Sequence, residues 1–197
     1  PKPNFVTITD NYEGKRLNSP NDITIKSNGE FYFTDPPYGL EKVEKDPAKE
    51  LPFQGVYRVD TTGKTFLLTK ELSRPNGIAF SPDEKTLYVS NSDPEKALWM
   101  AYEINEQGNI AHEKIFYDAT HLVDKEKGLP DGLKVSKSGI IFASGPGGVW
   151  IFNKEAKVLG RIKTGEITSN CALDTNEEYL YMTADNYLLR IRLKQYP

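Results

Sequence analysis

Residues 16–40 read RLNSPNDITIKSNGEFYFTDPPYGL, and this stretch decides the fold. After Pro20 and Asn21 the apolar residues fall at every second place, Ile23 and Ile25, the mark of a half-buried strand. Asn28-Gly29 then supplies a turn, and a second strand runs through Tyr32 to Thr34. The pattern returns three times, at PNGIAF from Pro75, PDGLKV from Pro130 and SNCALD from Ser169. The residues that open the copies are Asn21, Asn76, Asp131 and Asn170, spaced by 55, 55 and 39 residues. Each copy keeps an aromatic in its second strand (Tyr32, Tyr88, Phe142, Tyr181) and a small hydroxyl two residues later (Thr34, Ser90, Ser144, Thr183). Third strands are expected over 56–59, 98–102, 149–152 and 188–191, and fourth strands over 65–69, 114–117 and 158–163.

A four-stranded meander recurring every ~40–55 residues is the period of a propeller blade. A β-sandwich, the competing all-β class, does not predict the recurrence. The whole chain, 1–197, is expected to be a single partial propeller domain of about four blades. The segment 4–9 alternates like a strand ahead of the first copy and is expected to form the outermost strand of a further blade. Nothing helical longer than a turn or two is expected, the best candidate lying near 119–123.

Composition bounds the rest. Hydrophobic residues make up 38% of the 197 and charged residues 27%, an ordinary balance for a soluble globular protein. A net charge of −3 with scattered Lys and Arg gives no reason to expect nucleic acid or an acidic membrane surface as a partner. No apolar run approaches the ~20 residues of a membrane span. Cys171 is the only cysteine, which excludes an intrachain disulfide and a thiolate zinc site. The chain starts at Pro1 and its first methionine is Met100, so it reads as a piece of a longer protein. A soluble protein is expected, with cytoplasm, periplasm and secretion all open.

In a propeller the first strand of each blade faces the central channel, so the four opening residues should converge. Amide oxygens and a carboxylate make a hard, oxygen-only site, suited to calcium, magnesium or manganese. The alternative is local: Asn or Asp at a strand start often caps its own backbone. His112 and His121 sit away from the opening positions, and solvated histidines are the default. No GxSxG elbow is present. The glycine-rich Ser144–Gly148 opens no helix and is expected to be a tight turn between strands.

The four segments, together with Thr34–Gly39 (TDPPYG), closely resemble the bacterial gluconolactonase branch of the regucalcin/gluconolactonase/luciferin-regenerating family, along essentially all 197 residues. The resemblance implies a six-bladed propeller that hydrolyses sugar lactones, or organophosphates in some branches. It implies one divalent cation at the top of the channel, calcium first, with magnesium, manganese or zinc as alternatives. By position, Asn76 and Asp131 match the family's metal ligands, and Asn21 the Asn beside the metal. Asp22 follows Asn21 in a region that helps hold a structural calcium in related paraoxonases. Asn170 lies on the same rim, and Asp35 and Tyr38 belong to a loop expected to shape the sugar pocket. The family's further Glu ligand, in an EGP context, has no counterpart here. The missing blades are expected from the rest of the native chain, and this piece alone should hold metal poorly.

The mechanism so implied is hydrolysis of a cyclic ester, with the cation as Lewis acid and Asp131 as general base. The rivals are a calcium- or partner-binding propeller without catalysis, and a propeller enzyme of another class, phosphotriesterase or strictosidine-synthase-like.

Overall fold

The computed structural model describes residues 4–193, and they fold as four consecutive antiparallel meanders. Ahead of them stands a short hairpin, β1 (Asn11–Tyr12) and β2 (Lys15–Arg16). Blade one is β3 (Ile23–Ile25), β4 (Phe31–Asp35), β5 (Gly55–Val59) and β6 (Thr65–Thr69). Blade two is β7 (Pro75–Phe80), β8 (Thr86–Asp93), β9 (Lys96–Ile104) and β10 (Ile110–Asp118). Blade three is β11 (Leu133–Val135), β12 (Ile141–Gly145), β13 (Gly148–Phe152) and β14 (Val158–Lys163). Blade four has three strands among the described residues, β15 (Thr168–Leu173), β16 (Tyr179–Ala184) and β17 (Tyr187–Arg192). The first strands of successive blades neighbour one another in the order β3, β7, β11, β15, and so lie innermost. The chain is therefore all-β, with a four-blade propeller arrangement. Pro146-Gly147 forms the tight β12–β13 turn expected of the glycine-rich run.

The blades stack through apolar layers. Tyr32 and Val56 of blade one pack with Ile78, Leu87 and Tyr102 of blade two. Trp99 and Phe116 of blade two pack with Leu133, Trp150 and Phe152 of blade three. Phe142 and Val149 of blade three pack with Cys171 and Met182 of blade four. Each large side chain removed from water in these layers contributes about 1.5–3 kcal/mol, and they hold one blade to the next.

Two expectations fail. Residues 4–9 form no strand, for they pair with no described strand; Phe5 and Val6 are exposed, and Thr9 meets β6 through the hydroxyl of Thr65. Period-2 alternation supplies a face, whereas a strand also needs a partner for its N–H and C=O groups. Ile23 and Ile25, read as half-buried, are also exposed. The repeat equivalents of Ile23, Ile78 and Leu133, are buried against the preceding blade, those of Ile25, Phe80 and Val135, are partly buried there, and no blade precedes β3 among the described residues. The helical turn expected near 119–123 is a 3-10 turn, Thr120–Leu122.

Candidate functional site

The opening residues of all four blades line one cavity of about 810 Å³. Asn21 and Asp22 come from the start of blade one, Asn76 from β7, Asp131 from just before β11, and Asn170 from β15. Tyr38 joins them from the long β4–β5 connection. Asp35 does not. Its side chain is fully buried, and its carboxylate accepts the backbone N–H groups of Asn18 (2.8 Å) and Ser19 (2.7 Å). It ties down the root of the connection that carries Tyr38. His112 lies on β10 and His121 in the 3-10 turn, and neither lines the cavity.

The repeated hydroxyls explain how the opening residues are held. Thr34 Oγ1 donates to Asn76 O across blades one and two (2.7 Å), and Ser90 Oγ donates to Asp131 O across blades two and three (2.7 Å). Ser144 Oγ reaches Ser169 O, next to Asn170, across blades three and four (3.2 Å). Each blade thus fixes the backbone of the next blade's cavity residue. Thr34 also accepts the N–H of Asp22 (3.2 Å), and it is fully buried. Thr34→Val keeps the volume and leaves two buried groups unpaired. Urea unfolding is expected to show a loss of about 1–3 kcal/mol.

The side chains differ in what they do. Asn170 Oδ1 accepts the N–H of Cys171 (2.8 Å), the local capping that a strand-start Asn often makes. Asp22 accepts the N–H of Ile23 (2.9 Å) and reaches across to the N–H of Ile78 (3.2 Å), so it joins two blades. Asn76 is buried and donates from Nδ2 to Ser92 Oγ (3.0 Å). Asp131 has its carboxyl pushed up to about 6, chiefly by burial and further by the Asp22 carboxylate; the Gly132 N–H and the nearby Asn76 amide oppose the rise. Burial likewise raises the Tyr38 phenol.

Several lining residues escaped the sequence. Arg74, directly before Pro75, pairs with Glu44 (2.7 Å) on the 3-10 turn Val43–Lys45, so the β4–β5 connection is tethered to blade two at the cavity. Ser92 lies two residues beyond the repeated hydroxyl of its own blade. Glu126 and Lys127 belong to a mixed-charge run between blades two and three. Glu126 is gripped by Arg161, whose guanidinium stacks on Trp150 (3.9 Å), and Lys127 pairs with Glu166 (2.8 Å).

The donor chemistry fits a hard divalent cation as part of a coordination set. Asn76 and Asp131 present an amide and a carboxylate on adjacent blades to one cavity, which Asn21 also lines. Among the described residues, no three His, Cys, Asp or Glu side chains cluster as a metal centre, so the carboxylate share of the set is Asp131 with Asp22 beside it.

Blades stacked around a polar cavity where their innermost strands begin define a propeller protein with an oxygen-rich axial pocket. The chain matches the SMP-30/Gluconolactonase/LRE-like region over residues 2–186, and it belongs to that family. It is 39% identical over 193 residues to a gluconolactonase of Zymomonas mobilis, covering 96% of this chain and 54% of that protein. It is 26% identical over 203 residues to a lactonohydrolase of Aspergillus oryzae, covering 94% of this chain and 46% of that protein. The solved structure of a gluconolactonase from Xanthomonas campestris superposes with a TM-score of 0.82 at 34% identity, covering 94% of this chain and 61% of that one. The chain spans about half the length of the curated relatives it matches. No helix among the described residues is long and apolar enough to cross a membrane.

Proposed function

We propose that the protein hydrolyses sugar lactones in the cavity that Asn76 and Asp131 share, with the aid of a divalent cation, calcium before magnesium, manganese or zinc. The observation that carries this reading is the meeting of Asn76 and Asp131, from adjacent blades, in one polar cavity. Membership of the family and the names of the relatives support the lactone as substrate.

Asn76 and Asp131 would hold the cation, with Asn21 beside it. When bound, the cation would supply Lewis-acid polarisation of the lactone carbonyl. The chain's own residues do the rest. Asp131 takes a proton from the attacking water as the new C–O bond forms. The ring C–O bond breaks, and Asp131 returns that proton to the ring oxygen, which leaves as a hydroxyl and opens the lactone to a hydroxy acid. Asn21 and Asn170 meet substrate hydroxyls at the rim. Tyr38 lines the cavity from the tethered β4–β5 connection, and Asp22 braces blades one and two.

The test is hydrolysis of a sugar lactone by the full-length protein before and after chelation. Chelation is expected to lower the rate about a hundredfold or more, in line with the several kcal/mol a Lewis acid contributes. Calcium should restore it, with magnesium, manganese and zinc run beside it. Undiminished turnover in excess chelator would remove the cation from the reaction. Cation binding without turnover on lactones or phosphotriesters would make this a binding propeller.

A further inference from the structure

We infer that Ser92 is a positioning residue that fixes which end of the Asn76 amide faces the cavity. The inference rests on the cation-assisted reading above, in which Asn76 serves through its oxygen.

Ser92 lies on β8 and is 7% exposed; Asn76 is 6% exposed, so both are largely buried in the cavity wall. A serine hydroxyl carries one proton. Ser92 gives it to Pro130 O, the carbonyl directly before Asp131. Towards Asn76 the same oxygen can then only accept. It takes a proton from Asn76 Nδ2 at 3.0 Å. With the amide turned the other way, Asn76 Oδ1 would face an oxygen that has no proton to give it, and two acceptors would meet. The committed proton therefore selects one amide orientation and leaves Oδ1 for the cavity. Hard cations bind Asn through that oxygen and are repelled by the N–H₂ end.

The placement is specific to this edge of the site. Ser92 N donates to Arg74 O (2.9 Å), which anchors the serine to the segment before Asn76. Ser90, two residues earlier on the same face of β8, donates to Asp131 O. The two serines thus hold the carbonyls of both Pro130 and Asp131, and Ser92 alone also meets Asn76. At the equivalent places in the other blades stand Pro36, Pro146 and Asp185, none with a hydroxyl. The device belongs to the one pair of blades that brings the proposed ligands together.

The experiment uses the full-length protein, with Ca²⁺ alone as the probe in titration calorimetry and asparagine-selective ¹⁵N labelling to follow the Asn76 side-chain amide. Ser92→Ala is expected to weaken Ca²⁺ binding about tenfold or more, the usual consequence of losing a partner that orients a ligand. It should also abolish the protection of the Asn76 Nδ2 protons from solvent exchange. Ser92→Thr, which keeps the hydroxyl, should restore both. Equal loss in the Ala and Thr variants would mean packing alone and would overturn the inference. Wild-type Ca²⁺ affinity in Ser92→Ala, while Asn76→Ala loses it, would overturn this inference and leave the proposed function intact. Undiminished Ca²⁺ binding in Asn76→Ala would instead sink the cation reading, and this inference with it. Should Ser92→Ala fail to fold, the wild-type spectrum decides: fast solvent exchange of both Nδ2 protons would refute the hydrogen bond to Ser92.

Discussion

Asp131→Asn in the full-length protein is expected to lower kcat/KM on a sugar lactone by about 10²–10⁴, the usual worth of a positioned general base. Asn is chosen because it keeps the volume and one oxygen, so substrate and cation can still enter while the proton acceptor is gone. Most of the loss should fall on kcat, since proton transfer belongs to the transition state and not to binding. Asp131→Ala removes the oxygen as well and should weaken cation binding in addition. A second readout separates function from scaffold. Burial and the neighbouring Asp22 carboxylate both penalise the Asp131 charge. A neutral amide escapes that penalty, so the metal-free Asn variant should melt at or above the temperature of the wild type at pH 8. A higher melting temperature in the variant would fit a carboxylate whose charge is carried at a cost in stability. If Asp131→Asn instead turned over lactone at the wild-type rate, Asp131 would have no part in the proton transfer.

The blades were legible in the sequence because their signal is repeated. One Pro-Asn dipeptide says little, yet Asn21, Asn76 and Asp131 each feed the same alternating strand, and all three reach the cavity with Asn170. The hydroxyls at Thr34, Ser90 and Ser144 were visible as a pattern without a role, because their partners lie on the next blade, about 25–42 residues away. Asp35 illustrates the converse. It stands three residues before Tyr38, at the end of β4, but its carboxylate is spent on two backbone N–H groups. Adjacency in sequence could not tell which of the two would reach the cavity. Arg74, Glu126 and Lys127 line the cavity through non-repeating segments, where period gives no help. Residues 4–9 misled because alternation reports a face and not a ladder partner.

Gly77→Ala is expected to be among the most damaging substitutions outside the cavity residues, and the reason is space rather than backbone freedom. Gly77 and Gly132 occupy the same place in the repeat, one residue after Asn76 and Asp131. Neither has a positive φ, so alanine could adopt either backbone. A Cβ at Gly77, however, would overlap Asp131 O and come against the Asp131 carbonyl carbon and Gly132 Cα, all of them backbone. None can swing aside, so blade three must move at the residue that the site depends on. Overpacking of this kind costs about 1–3 kcal/mol, and a displacement of about 1 Å at a reacting group costs on the order of a hundredfold in rate. Gly132→Ala meets instead the side chain of Asn170, which is exposed and can rotate. It should lose far less turnover, chiefly through substrate binding at the rim. Gly139→Ala supplies the contrast: its φ of +84° penalises alanine, but no atom stands within 4 Å. That variant should lose about 1 kcal/mol of stability and keep its kcat. The expected order of damage to turnover is Gly77→Ala, then Gly132→Ala, then Gly139→Ala. Thermal melting and lactone kinetics on the three proteins check it, and a Gly77→Ala protein with wild-type kcat would show that the contact between β7 and Asp131 does not set the catalytic geometry.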